Sequence, residues 1–214
     1  MVRKILKNIG YWVTHEYKRR SVKEITHFCG WDYLLDLITD CKNDRDKALI
    51  SLLFCTGGRV SEVLLLERKN FQFTQSREFI IIVGMPILKR YKKIGVTKDE
   101  VTLKKKWKTK KELAYRTFPI KWSEPLTPYF TDYVLNREGK IFDISRIRVY
   151  QIVRELNKDI YPHWFRSQRA SQLASEYKSF DFQKIMQFFG WQSIEAGLRY
   201  SHLGWKVLSE HMKK

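Results

Sequence analysis

Cysteine, acidic residues and long apolar runs are all scarce in this 214-residue sequence, and each shortage excludes something. The three cysteines, Cys29, Cys41 and Cys55, contain no CxxC pair. An odd number without metal-binding spacing argues against a disulfide scaffold and predicts reduced thiols in a cytoplasmic setting. The longest apolar stretch, Ala48 to Cys55, is eight residues with Ser51 inside it, against the ~20 that a membrane helix needs. Met1 to Gly10 carries basic residues but no apolar segment followed by small ones, so no secretory signal is visible. Myristoylation and CaaX signals are absent too. No carboxylate cluster has metal-ligand spacing, and no internal repeat appears.

The shortage of acid is the informative one. Lys and Arg number 41 against 23 Asp and Glu, a net charge of +18. Such an excess on a compact body favours a polyanionic partner. Duplex DNA carries about one negative charge per 1.7 Å of axis, and binding it releases counterions. An anionic membrane is the rival, but it normally needs a basic amphipathic helix or a lipid anchor. Nucleic acid, such as duplex DNA, is therefore favoured over a membrane as the partner. A hydrophobic fraction of 43% with 14% aromatics excludes global disorder and suits one domain with a small appendage.

Residues 1–30 are basic and weakly periodic, which predicts an arm or linker before a folded body over 31–214. Leu34, Leu35, Ile38 and Cys41 repeat at three and four, marking an amphipathic helix. Asn43-Asp44 offers a cap for a second helix that stops at Gly57-Gly58, and Arg59 begins a third, short one. Phe79 to Val83 is a β-branched strand, with Gly84 and Pro86 as breaks. From Lys89 to Lys111, 11 of 23 residues are Lys or Arg. Arg116 to Ile120 reads as a returning strand, and a short helix is expected around Val101 to Leu113. Further helices are predicted over Pro125–Asn136, Ser145–Lys158, Pro162–Tyr177, Phe182–Phe189 and Ser193–Tyr200, with a last piece over Leu203–His211. The fold class is mainly α with a small antiparallel β-sheet.

Three separated pieces invite a joint explanation: Thr56-Gly57-Gly58-Arg59-Val60-Ser61-Glu62, His163-Trp164-Phe165-Arg166, and Gly190-Trp191 followed by Arg199-Tyr200. His163 and Arg166, at i and i+3, share a helix face, just after a proline suited to the first helical turn. An imidazole and a guanidinium near a helix N-terminus can cradle a phosphate. Arg59 follows two glycines at a tight corner, with Glu62 placed to hold it. Taken singly, each piece also has an ordinary reading: a capping histidine, an ion pair at a turn, a packing tyrosine, a core tryptophan.

Together and in this order, the pieces resemble the catalytic domain of the tyrosine recombinases, the phage-type integrases and Xer-like resolvases with their archaeal relatives. The resemblance spans roughly residues 31–214. It implies Arg59 as the first catalytic arginine, His163 and Arg166 as the His-x-x-Arg pair, Trp191 at a position taken by His or Trp, and Tyr200 as nucleophile. It also implies a hairpin lysine: Lys89, with Lys92 and Lys93 as alternatives, since the usual short turn is replaced by the basic segment. The implied reaction needs neither metal nor ATP. Tyr200 would attack a DNA phosphodiester, form a 3′-phosphotyrosyl bond and release a 5′-hydroxyl, which is covalent catalysis. The cations would take up charge on the non-bridging oxygens, and a lysine would protonate the leaving oxygen. The family further implies oligomers on DNA, a tetramer at synapsis, joined through a C-terminal tail such as Ser201–Lys214. Two other outcomes stay open: a type IB topoisomerase-like relaxase and a non-catalytic DNA-binding regulator. So does action of Tyr200 in its own or a neighbouring site. With little sequence before the catalytic fold, a minimal or truncated enzyme is expected.

Overall fold

The structure, a computed structural model, describes residues 28–98, 107–176 and 182–193, with the backbone alone for residues 89–98 and 107–112. Helix α1 (Trp31–Thr39) leads to α2 (Asp44–Thr56), whose first turn is capped by the Asn43 side chain accepting from the Asp46 N–H at 2.9 Å. Asn is a favoured cap because its oxygen satisfies one of the orphan N–H groups. From Ala48 to Thr56 every residue of α2 is buried, so this helix is the axis of the core rather than a surface helix with one apolar stripe. Gly57 ends it in the left-handed conformation at φ 54°, which only glycine adopts without strain.

A short helix, α3 (Val60–Val63), and a 3₁₀ turn (Arg68–Asn70) lead to the sheet. Strands β1 (Phe71–Phe73), β2 (Phe79–Lys98) and β3 (Trp107–Lys121) are antiparallel in that spatial order. Helices α4 (Thr127–Leu135), α5 (Arg146–Leu156), α6 (Pro162–Glu176) and α7 (Phe182–Phe189) complete the described chain. Helices α1, α3, α4 and α6 all touch α2. Ile80, Ile82, Phe118 and Ile120 press one face of the sheet into the same core. The architecture is helical with a small antiparallel sheet, as expected.

The sheet corrects two expectations. Gly84 and Pro86 do not end the strand. The register shifts between Ile82 and Met85, Gly84 takes φ 67°, and β2 continues, with Pro86 opposite Tyr115. Beyond Ile82, β1 no longer flanks β2, so β2 has one free edge where a residue lacking an N–H is tolerated. The helix expected around Val101 to Leu113 is also replaced from Trp107 onward by strand. Pairs from Tyr91↔Leu113 to Lys98↔Trp107 extend the hairpin into a two-stranded ribbon, cross-strand pairing overriding helix-favouring Lys and Leu. The described parts of the basic segment, up to Lys98 and from Trp107, are thus a ribbon continuous with the sheet.

On the arm side of the boundary expected at residue 30, Phe28 packs on Trp31 and Phe54. The Cys29 N–H donates to Gln168 at 2.8 Å. Burial pushes the Cys29 and Cys41 thiols up to about 12 and also raises Cys55 well above the usual thiol range, so all three are poor nucleophiles at neutral pH. No helix among the described residues is long and apolar enough to cross a membrane. The expected helix over Ser193–Tyr200, the piece over Leu203–His211, and the arm up to residue 27 lie outside the described residues.

Candidate active site

Arg59 is the residue before the first turn of α3, at the corner opened by Gly57 and Gly58. Its guanidinium donates to Glu62 at 2.8 Å, and its backbone N–H donates to the other oxygen of the same carboxylate at 2.9 Å. That is the return half of a capping box, with Glu at the third helical position. Glu62 is 1% exposed and Arg59 25%, so the pair is anchored from behind while part of the guanidinium stays open. The same carboxylate accepts the Leu88 N–H of β2 at 3.3 Å. The hairpin is thereby tied to the Arg59 corner one residue before Lys89, whose side chain is outside the described residues.

Helix α6 starts on Pro162 and carries His163 in its first turn. His163 and Arg59 line one cleft of about 420 Å³ together with Val60, Ser61, Leu88, Arg146 and Tyr150. Among the described residues no carboxylate lines it. Of the predicted site residues whose side chains are described, these two are the ones the fold brings to a common opening.

Arg166, one turn further, is fully buried. Its guanidinium donates to the carbonyl of Gly57 at 2.5 Å and to that of Phe189 at 3.3 Å. Rings of Phe189 and Trp191 lie 4.8 and 5.5 Å from it. Trp191 is positioned by the end of α7. Gly190 turns left-handed at φ 67°, its N–H donates to Gln187, and the Trp191 N–H donates to Met186 at 2.8 Å. This is a Schellman ending with glycine where it belongs. Trp191 then stacks on Phe189 at 4.5 Å. Arg166 and Trp191 therefore pack behind the corner that presents Arg59, while His163 faces the cleft. Tyr200 lies outside the described residues.

Arg116 was not singled out from the sequence, yet it holds the corner together. It is buried on β3 and donates to the carbonyls of Phe188 and of Thr56, the latter at 3.1 Å. Thus Arg116 links Thr56 to Phe188, and Arg166 links Gly57 to Phe189. Two guanidinium groups tie the C-terminal carbonyls of α2 to those of α7, two dipole ends of like negative sign that cations between them reconcile. Burial pushes Arg116 down to about 10, which leaves it protonated at neutral pH. The packing is tight: a methyl on Gly57 would overlap the Phe189 ring, and one on Gly190 would press on Ile87. The available signal was alternation, since Arg116, Phe118 and Ile120 all point inward along β3. A third buried arginine, Arg169, pairs with buried Glu124 at 2.7 Å.

A helical body with this small sheet is shared with solved recombinases. XerA recombinase superposes with a TM-score of 0.58 at 18% identity, covering 87% of this chain and 64% of that one. XerH site-specific recombinase, solved bound to difH substrate, gives 0.55 at 16% identity, covering 89% and 54%. The fold is that of a tyrosine recombinase catalytic domain.

The phage integrase family pattern matches residues 22–205, and the chain belongs to that family. It is 27% identical over 172 residues to tyrosine recombinase XerD of Chlorobaculum tepidum, covering 78% of this chain and 51% of the relative. It is 25% identical over 177 residues to tyrosine recombinase XerC of Pediococcus pentosaceus, covering 79% and 54%. The chain spans about half the length of these curated relatives.

Proposed function

We propose that the chain is a site-specific DNA recombinase that cuts and rejoins strands through a 3′-phosphotyrosyl intermediate, with Tyr200 as the nucleophile. The observation that carries this reading is the cleft shared by Arg59 and His163, with Arg166 and Trp191 packed behind it. In line attack by a phenol on phosphorus gathers negative charge on the non-bridging oxygens. Arg59 is pre-oriented for them by Glu62, so little reorganisation is required as charge develops. Arg166 shapes the corner from within and is the second cation of the set. His163 accepts or positions the phenolic proton, and the Trp191 indole N–H adds a donor. Lys89 protonates the departing 5′-oxygen, with Lys92 and Lys93 as the competing choices.

The basic stretch Lys89 to Lys111 and the N-terminal arm add phosphate contacts that confer affinity and salt dependence rather than sequence readout. The tail from Ser201 joins protomers on DNA, in a tetramer at synapsis. The relatives support the DNA partner: XerH is solved bound to difH substrate, and the Tn1549 transposon integrase in complex with transposon right end DNA.

The test is covalent trapping on nicked duplexes with a randomised central sequence. The wild-type chain gives a protein–DNA adduct on a denaturing gel, and Tyr200→Phe gives none while still retaining the duplex on a native gel. Adduct formed by Tyr200→Phe would remove Tyr200 from the role.

A further inference from the structure

We propose that Arg146 and Tyr150 form a second phosphate subsite in the wall of the Arg59–His163 cleft, for the backbone phosphate next to the reacting one. The proposal rests on the reading of the chain as a DNA strand transferase and adds to it where a neighbouring segment of the strand lies.

Arg146 and Tyr150 stand at i and i+4 on α5, so they share one face of that helix, and that face lines the cleft. The Arg146 guanidinium sits 5.7 Å from the Tyr150 ring centroid. An aromatic face at that range attracts a cation and restricts where it can go. Arg148, two residues on, is a useful contrast. It donates to Glu155 at 2.9 Å and to Gln151 at 3.3 Å, so its charge is answered within its own helix. Among the described residues Arg146 has no carboxylate partner, and α5 has no acid in its first turn. The Glu62 carboxylate behind Arg59 is buried and already bonded to Arg59 and Leu88.

An unanswered guanidinium beside a partly open second one repels it unless an anion enters. A cleft of about 420 Å³ is large against the ~30 Å³ that one water occupies in the liquid, so it has room for more than a single phosphate group. A DNA strand presents its phosphates at every nucleotide step, so a strand seated with one at Arg59 carries its neighbours along the same wall. The guanidinium fork suits phosphate oxygens. Ser61 and the Tyr150 hydroxyl supply neutral donors beside it. A cation of this kind gives register and affinity rather than base readout.

The experiment measures equilibrium binding of the full chain to a short duplex of arbitrary sequence across a salt series. Wild type, Arg146→Gln and Arg148→Gln are compared. Both variants remove one positive charge, two residues apart on the same helix, and thermal melting confirms that both remain folded. Loss of one phosphate contact lowers the slope of log K against log salt by about 0.9, and that drop is expected for Arg146→Gln alone. In the trapping assay, Arg146→Gln raises the duplex concentration for half-maximal adduct and leaves the saturated rate near wild type. An unchanged slope for Arg146→Gln, or an equal drop in both variants, overturns the subsite. If wild type binds no duplex and forms no adduct, the proposed function falls and takes the subsite with it. If wild type does both and the variants match, the subsite alone falls.

Discussion

The arginines around the α2–α3 corner divide into two groups of identical chemistry and opposite employment. Arg116, Arg166 and Arg169 are buried and bonded to carbonyls at helix ends or to the Glu124 carboxylate. Arg59 and Arg146 face the cleft, the first partly answered by Glu62 and the second by a ring. A buried guanidinium must have its hydrogen bonds met inside the protein, because desolvating an unpaired charge costs several kcal/mol. A cleft guanidinium has no such obligation while water reaches it. The inner group therefore builds the corner, and the outer group keeps its charge for a ligand. Arg166 belongs by geometry to the inner group, although the family resemblance gives it a place beside Arg59. Its contribution to chemistry depends on the same bonds that hold the corner.

The largest expected effect is on the inner group. Glu124→Ala removes the carboxylate that Arg169 meets in the core and should lower unfolding stability by about 3–5 kcal/mol, read from urea denaturation. A change near zero would erase the distinction between the groups. Next is the outer group. Arg59→Ala should slow adduct formation by at least ~2.7 kcal/mol of barrier, roughly a hundredfold, measured on the folded protein because the buried Glu62 carboxylate also loses its guanidinium partner. A variant that cleaves at the wild-type rate would detach the cleft from the chemistry. The smallest effect sharpens the contrast from a site belonging to neither group. Asn43→Ala removes the α2 cap and should cost about 1 kcal/mol in the same denaturation, with the adduct rate of the folded protein unchanged.

Much of the helical body was legible because its boundaries have local causes. Asn43, Gly57, Ser145 and Pro162 stop or start helices through their own side chains or backbone freedom, and the helices begin or end at those positions. Helix α7 was read residue for residue, over Phe182–Phe189. The sheet was less legible because its causes are distant. Nothing local to Gly84 or Pro86 says that a register shift will absorb both, and nothing local to residues 107–113 says that β2 will pair with them. β1 is only Phe-Gln-Phe, too short to stand out. Within the site, Arg59 and Glu62 are three residues apart and their bond was expected from spacing. Arg116 is 60 residues from Thr56 and 72 from Phe188, a separation at which spacing carries no information. Arg146 went unnoticed because an exposed arginine on a helix is common, and only the shared cleft sets it apart.

The Glu62 carboxylate has a mechanical consequence. It grips Arg59 on one side and the Leu88 N–H of the ribbon on the other. The root of the ribbon cannot swing away from the helices without either rupturing the Leu88 link or dragging Arg59 with it. A force applied to the hairpin is delivered, through one side chain, to the arginine that meets the cleft.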